Sequence, residues 1–294
     1  MEYTKFIERR RSERDWLQAN GYENGDPQTN GEFATLALLA GNFSHFLDVG
    51  ANRGDFVREV KRIKPGCRVS AFEPNPGLGA QIRRSLDEEA GDRLFTCALS
   101  DKPGNGEIFL FPEDDTASSL VRRSEMNPSF TRNAIETEVT IETLDHLKDQ
   151  FLDSRYSGDG LFLKIDAEGH ESHILFGGQE LFAVEQPLFV LFEYSFGWLE
   201  AGALFRDAFH FLNAQNFQIY RLTPFGLELV PFYRRSMDDT LYCNYLAVRN
   251  GDLGQLSSRC RIANHYGETD FFPFRKEVIK DHFRNNQPLQ QVIG

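Results

Sequence analysis

The residues with the clearest chemical potential lie where apolar runs end in acids. Phe46-Leu47-Asp48-Val49 reads as a strand, followed by the turn Gly50-Ala51-Asn52-Arg53-Gly54 and a helix. About twenty residues further on, Val69-Ser70-Ala71-Phe72 ends in Glu73. A third run, Leu161 to Ile165, opens into Asp166-Ala167-Glu168-Gly169-His170-Glu171, and a fourth, Leu188 to Phe192, ends in Glu193. In open α/β sheets ligands bind at the carboxyl ends of strands, where strand order reverses. Four acid-terminated strands therefore predict one site with a ligand-gripping half (Asp48, Glu73) and a reactive half (Asp166, Glu168, His170, Glu193).

The first half predicts a nucleoside-bearing ligand. Gly50 lets backbone approach that ligand, and Gly54 lets the helix pack close to the sheet. A carboxylate at the position of Glu73 suits the two hydroxyls of a ribose. A dinucleotide site requires G-x-G-x-x-G, and the middle glycine is absent here. Asp48 would repel a pyrophosphate but suits the ammonium of an amino-acid moiety, which S-adenosylmethionine carries together with a ribose. An NAD(P)-dependent oxidoreductase is the competing reading, and a non-catalytic module that binds S-adenosylmethionine is another.

The second half suits methyl transfer. An alcohol is a poor nucleophile until a base or a metal assists it. His170 is the expected general base, because imidazole titrates near neutral pH. Asp166 is expected to orient the acceptor hydroxyl, to act as base itself or to hold His170. Glu168 reads equally well as a site residue and as a carboxylate favoured at a helix N-terminus; for Glu171 the helix-dipole reading is preferred. Lys164 lies in a strand otherwise built for burial, so it needs a carboxylate partner, Glu193 or Asp166. Asp166 and Glu193 should end neighbouring strands and could share Mg²⁺, although spacing supplies no third ligand. Trp198, in a glycine-containing loop, could stack on a sugar ring.

These groups need a scaffold. Strands are expected over Phe43–Val49, Arg68–Phe72, Leu94–Leu99, Leu161–Ile165, Leu188–Phe192, Phe217–Leu222 and Leu241–Val248. Helices over Asp55–Ile63, Leu78–Glu89, Glu171–Phe176 and Ala203–Gln215 alternate with them. The fold class is α/β: a doubly wound, mostly parallel sheet with helices on both faces and one antiparallel strand, since the last two strands are tightly linked. Residues 100–160 break the rhythm with two shorter strands, Ile108–Phe111 and Glu138–Ile141, a long loop, and a helix over Leu144–Phe151 that Thr143 could cap. That insertion is expected to help form the acceptor site. Residues 1–40 read as an N-terminal helical extension, residues 41–250 as the main domain, and residues 251–294 as a polar, irregular tail.

Composition narrows the classes. The 294 residues carry a formal net charge of −12, which argues against a general nucleic-acid or anionic-membrane binder. No run approaches the ~18 apolar residues of a membrane span, and the charged start lacks a signal-peptide core; a cytoplasmic location is expected. Four scattered cysteines show no metal-ligand spacing and no disulfide framework.

FLDVGANRG (Phe46 to Gly54), AFEPNP (Ala71 to Pro76), Thr143-Leu144-Asp145 and FLKIDAEGHE (Phe162 to Glu171) together resemble the FkbM family of S-adenosylmethionine-dependent methyltransferases, over roughly residues 40–250. The last motif is the most diagnostic, because the first two are shared with other methyltransferases. The resemblance implies a class I methyltransferase fold and O-methylation of a hydroxyl on a sugar, glycan or natural product. It implies S-adenosylmethionine contacts at Asp48, Gly50, Asn52, Glu73 and Pro74, with Ala98 and Leu99 flanking the adenine and Ser119 near the reacting groups. Ala167 stands where a larger aliphatic residue is common in the family.

Overall fold

A computed structural model of the chain describes residues 22–111, 118–121, 134–152, 160–183, 188–238, 242–249, 253, 260–264 and 267–274. The helix expected over the first twenty residues and most of the loop over 112–128 lie outside them.

The central strands are β1 (His45–Val49), β2 (Arg68–Phe72), β3 (Arg93–Phe95), β7 (Leu161–Ile165), β8 (Leu188–Tyr194), β9 (Phe217–Thr223) and β11 (Cys243–Arg249). They lie in the order β3-β2-β1-β7-β8-β11-β9. The chain winds outward from β1 to one side and from β7 to the other, so the order reverses between these two strands. β11 inserts between β8 and β9 and runs antiparallel to both, whereas β1, β2, β3, β7 and β8 pair in parallel. The α/β, mostly parallel architecture expected from the alternation is therefore present.

Parallel strands covered on both faces read as near-continuous apolar runs, and β1 and β7 are buried along their whole length. Alternation divides their side chains between two cores. Leu47, Val49, Leu163 and Ile165 join one; Phe46 and Phe162 join the other. Helices α1 (Glu32–Leu39) and α2 (Asp55–Ile63) cover the second core, with Phe33 edge-on to Phe56 at 5.2 Å. Helices α4 (Leu144–Phe151), α5 (Glu171–Phe176), α6 (Gln179–Ala183) and α7 (Phe205–Ala214) cover the first. Thr143 caps α4 as expected, its hydroxyl accepting from the His146 N–H at 3.0 Å.

Several expectations need correction. The helix predicted over Leu78–Glu89 is a single turn, α3 (Gly79–Arg83). The carboxylate of Asp92 draws the chain into turns after it, accepting from the N–H groups of Asp87 and Val69 at 2.7 and 2.8 Å. The run Leu94–Leu99 breaks after Phe95, and β4 (Ala98–Leu99) leaves for a second sheet with β5 (Gly104–Leu110) and β6 (Ile135–Glu142), in the order β4-β6-β5. The main sheet does not stop at β9. A hairpin strand, β10 (Gly226–Val230), follows it, and β13 (Gly267–Pro273) and β12 (Cys260–Asn264) extend the edge to ten strands. The segment read as irregular tail thus contributes two antiparallel strands and the buried Phe272 and Phe274. Cys67, Cys97 and Cys243 are buried free thiols, as expected. Among the described residues, no helix is long and apolar enough to cross a membrane.

Candidate active site

A cavity of about 500 Å³ opens at the carboxyl ends of β1, β2, β7 and β8. Its position follows from the topology, because the reversal between β1 and β7 leaves their ends uncovered.

The turn after β1 forms one wall. Gly50 has φ +73°, and a Cβ there would lie 1.8 Å from the Asp166 carbonyl oxygen, so only glycine fits between the two loops. Asn52 is also left-handed, at φ +46°. Its N–H donates to Glu73 Oε2 at 2.8 Å, and the Asn75 N–H donates to Oε1 at 2.8 Å. Two backbone donors from different loops thus fix the Glu73 carboxylate facing the cavity. Burial raises its pKa and these hydrogen bonds counter the rise. Pro74, Phe72, Cys97, Ala98 and Leu99 give this end an apolar lining.

Register sets the charge pair beneath the turn. Asp48 and Lys164 are direct partners across β1 and β7, on the face that belongs to the α1/α2 core. Lys164 Nζ lies 3.4 Å from Asp48 Oδ1 and 3.3 Å from Asp166 Oδ2, donates to the Gly50 carbonyl at 3.1 Å, and sits 4.6 Å from the centre of the Phe56 ring. Burial alone would lower the lysine pKa, but the Asp166 and Asp48 carboxylates outweigh it and hold the group above its usual value. Burial lifts Asp48 to about 6 against the pull of Lys164, which leaves the pair ionised at neutral pH. Glu193 is not a partner of this lysine. Asp48 also differs from expectation in place: its carboxylate is fully buried and does not line the cavity, which it reaches only through Lys164.

The loop after β7 is the reactive wall. Glu168 (φ +54°) and Gly169 (φ +103°) are both left-handed. The wholly buried carboxylate of Glu171 holds this strained turn, accepting from the N–H groups of Ala167 at 2.8 Å and Gly169 at 3.0 Å. That is a structural role, though a more specific one than helix-dipole placement. Ser119 donates to the Glu168 carbonyl at 2.8 Å, tying the second sheet to the same loop. Asp166, Glu168 and Glu193 converge, with one oxygen from each within 4.8 Å of the others. Glu168 is the third acid that spacing alone did not supply.

His170 faces the cavity but is not held by Asp166. Its Nε2 lies 2.9 Å from Ser100 Oγ. The Ser100 hydroxyl donates to Asp101 Oδ1 at 3.1 Å, so the ring donates to Ser100 and Nδ1 carries the lone pair. Burial and the stacked His173 ring, 4.5 Å away, push the His170 pKa down to about 4. Trp198 needs correction as well: it is fully buried beside Phe192 and Tyr194, so it offers no stacking face. The exposed aromatic at the cavity is its neighbour Phe196.

Glu32 and Tyr242 are among the lining residues that strand-end spacing did not predict. Glu32 opens α1 and is buried, hydrogen-bonded to Asn30 Nδ2 at 2.7 Å, with a pKa lifted by burial to about 7. Tyr242 precedes β11. A signal for Tyr242 existed, since an antiparallel strand beside β8 begins where β8 ends. Glu32 had none, because an acid at the start of a helix is ordinary.

A family model described as "Methyltransferase FkbM domain" matches residues 48–219. The chain belongs to this family. The FkbM match begins at Asp48 in β1 and ends at Ile219 in β9, so Glu32, Tyr242 and strands β10 to β13 lie outside it. Two relatives are similar over about half of the chain. The 2-O-methyltransferase NoeI of Sinorhizobium fredii is 27% identical over 170 residues, 54% of this chain and 66% of that protein. The methyltransferase sdnD of Sordaria araneosa is 28% identical over 155 residues, 46% of this chain and 60% of that protein. The chain thus matches under two thirds of the length of either. Among solved structures, the O-methyltransferase TomG from Streptomyces achromogenes aligns with 78% of this FkbM chain and 82% of its own at 12% identity, with a TM-score of 0.41.

Proposed function

We propose that this chain transfers a methyl group from S-adenosylmethionine to a hydroxyl oxygen of a sugar, glycan or comparable natural product. The observation that carries the reading is the Glu73 carboxylate, fixed by the Asn52 and Asn75 N–H groups at the rim of a cavity between β1 and β7. It is a fixed acceptor of the kind a ribose diol requires. The cradle at Gly50, where no side chain fits, and the apolar surface at Ala98 and Leu99 fit the remainder of a nucleoside.

Bound S-adenosylmethionine supplies an electrophilic methyl carbon whose sulfur leaves as a neutral thioether. The acceptor oxygen forms the new C–O bond, the C–S bond breaks with its electron pair remaining on sulfur, and the hydroxyl proton passes to a base of the chain. His170 is that base in this reading, through Nδ1, because it is neutral at physiological pH. Asp166 orients the hydroxyl, and Lys164 fixes Asp166. Ser119 and Glu168 shape the loop beneath the acceptor. Positioning supplies much of the rate, since the sulfonium needs no activation. With Asp48 sequestered beneath Lys164 and Asp166 given to the acceptor hydroxyl, Asp48 acts on the donor only through Lys164 and the Gly50 turn. The net charge of −12 is consistent with an acceptor other than a nucleic acid, and the reading places the reaction in the cytoplasm. NoeI, named a 2-O-methyltransferase, supports the choice of oxygen as the methylated atom.

The test is calorimetry with S-adenosylhomocysteine, followed by a screen of glycans, polyols and small alcohols with labelled methyl donor. Saturable binding, with label on oxygen in a product, is expected. Binding of NAD⁺ in place of S-adenosylhomocysteine would overturn the reading.

A further inference from the structure

We propose that Asp166, Glu168 and Glu193 form a site for a hard divalent cation of the Mg²⁺ or Mn²⁺ class, placed to hold the acceptor hydroxyl. The three oxygens lie within 4.8 Å of one another, and opposite ligands on such an ion sit roughly 4 to 5 Å apart. No large rearrangement is needed to close the shell.

A cluster of acids alone would not be a site. The independent observation is Glu193. It is only 6% exposed and lines the cavity, yet it has no hydrogen bond and no ion pair among the described residues. The charged groups acting on it are carboxylates, those of Glu168, Asp166, Glu171 and Glu32. Lys164, which lines the same cavity, is committed to Asp48, Asp166 and the Gly50 carbonyl. A buried carboxylate among like charges is costly unless something positive compensates it. Around it the frame is rigid. Glu168 is held in the left-handed region by hydrogen bonds to its own and neighbouring backbone, from Ser119 and to Glu171. That strain projects an acid toward Glu193 and is the kind stored at ligand sites.

The chemical role follows from the proposed function and rests on it. An alcohol is a poor nucleophile while protonated, and a divalent ion lowers the pKa of a bound hydroxyl, so its proton is released more readily to the base of the chain. Waters and acceptor oxygens would complete the shell, which favours acceptors presenting two adjacent oxygens, as sugars do.

The test uses the full chain after chelator treatment, titrated with Mn²⁺ alone and followed by electron paramagnetic resonance. One saturable Mn²⁺ per chain is expected. Glu193→Gln and Glu168→Gln should each weaken it by about tenfold or more, while Glu88→Gln, an exposed surface acid, should not. Circular dichroism verifies that each variant folds. Non-saturable binding, or wild-type affinity in both site variants, overturns the proposal. Binding of S-adenosylhomocysteine is measured on the same samples: if it persists without Mn²⁺ binding, the cation site fails and the methyl-transfer reading stands.

Discussion

Lys164 Nζ lies 3.4 Å from Asp48 Oδ1 across adjacent parallel strands, with both side chains buried. Removing one partner of such a pair strands a buried charge, at a cost of about 3–5 kcal/mol. Lys164→Met should therefore destabilise the chain by about that amount in urea denaturation. Adding Asp48→Asn should recover much of the loss, because the stranded charge is gone. Additive losses would show that the two groups are not coupled.

Two glycines in the β1 turn should behave differently when replaced by alanine. Gly50 and Gly54 have similar angles, φ +73° and +77°, so both carry the left-handed penalty of about 1 kcal/mol. At Gly50 the new Cβ would lie 1.8 Å from the Asp166 carbonyl, whereas at Gly54 its nearest neighbour is the Arg58 side chain at 3.6 Å. Gly54→Ala should fold and retain ligand binding, at a modest drop in melting temperature. Gly50→Ala should lose binding of S-adenosylhomocysteine, since its two loops must move apart.

Glu73→Ala removes the carboxylate proposed to accept from the ribose and also frees two N–H groups that shape the rim. Each charge-assisted hydrogen bond is worth about 1.5–3 kcal/mol. S-adenosylhomocysteine affinity should fall accordingly in calorimetry. An unchanged affinity would remove Glu73 from the nucleoside site.

His170→Ala should leave that affinity intact and lower turnover, because the ring contacts Ser100 and the cavity rather than the Glu73 end. Retained turnover would exclude it as the base.

Glu32 gives a stability prediction with a definite sign. Its folded-state pKa, about 7, exceeds the ordinary 4.5, so between these values the folded chain binds more protons than the unfolded one. Stability must then fall as pH rises from about 4.5 to 7. Glu32→Gln should flatten that decline, by up to about 3 kcal/mol across the window. Chemical denaturation at several pH values measures it.

The parts of this site that were legible in the sequence are those dictated by short-range order. β2, β7, α2 and α5 were readable to the residue, and β1 to within two residues at its start, because buried parallel strands are unbroken apolar runs and glycines punctuate them. The acids at their ends followed from the strand-end rule. Lys164 was visibly in need of a carboxylate, but choosing Asp48 over Glu193 depends on register between strands more than a hundred residues apart. The exposure expected of Trp198 failed for a related reason: a loop position says nothing about which neighbour closes over it. Leu78–Glu89 has helical composition, yet Asp92 captures the backbone from outside the window. β10, β12 and β13 were missed because an antiparallel edge carries weak alternation and is fixed by partners distant in the chain.

Glu32 and Tyr242 come from segments flanking the FkbM match, yet both face the cavity. The cavity is therefore closed partly by chain on either side of the matched segment. If methyl transfer is the reaction, an altered acceptor range in chimaeras of the stretch entering β11 would show that these borders take part in acceptor choice.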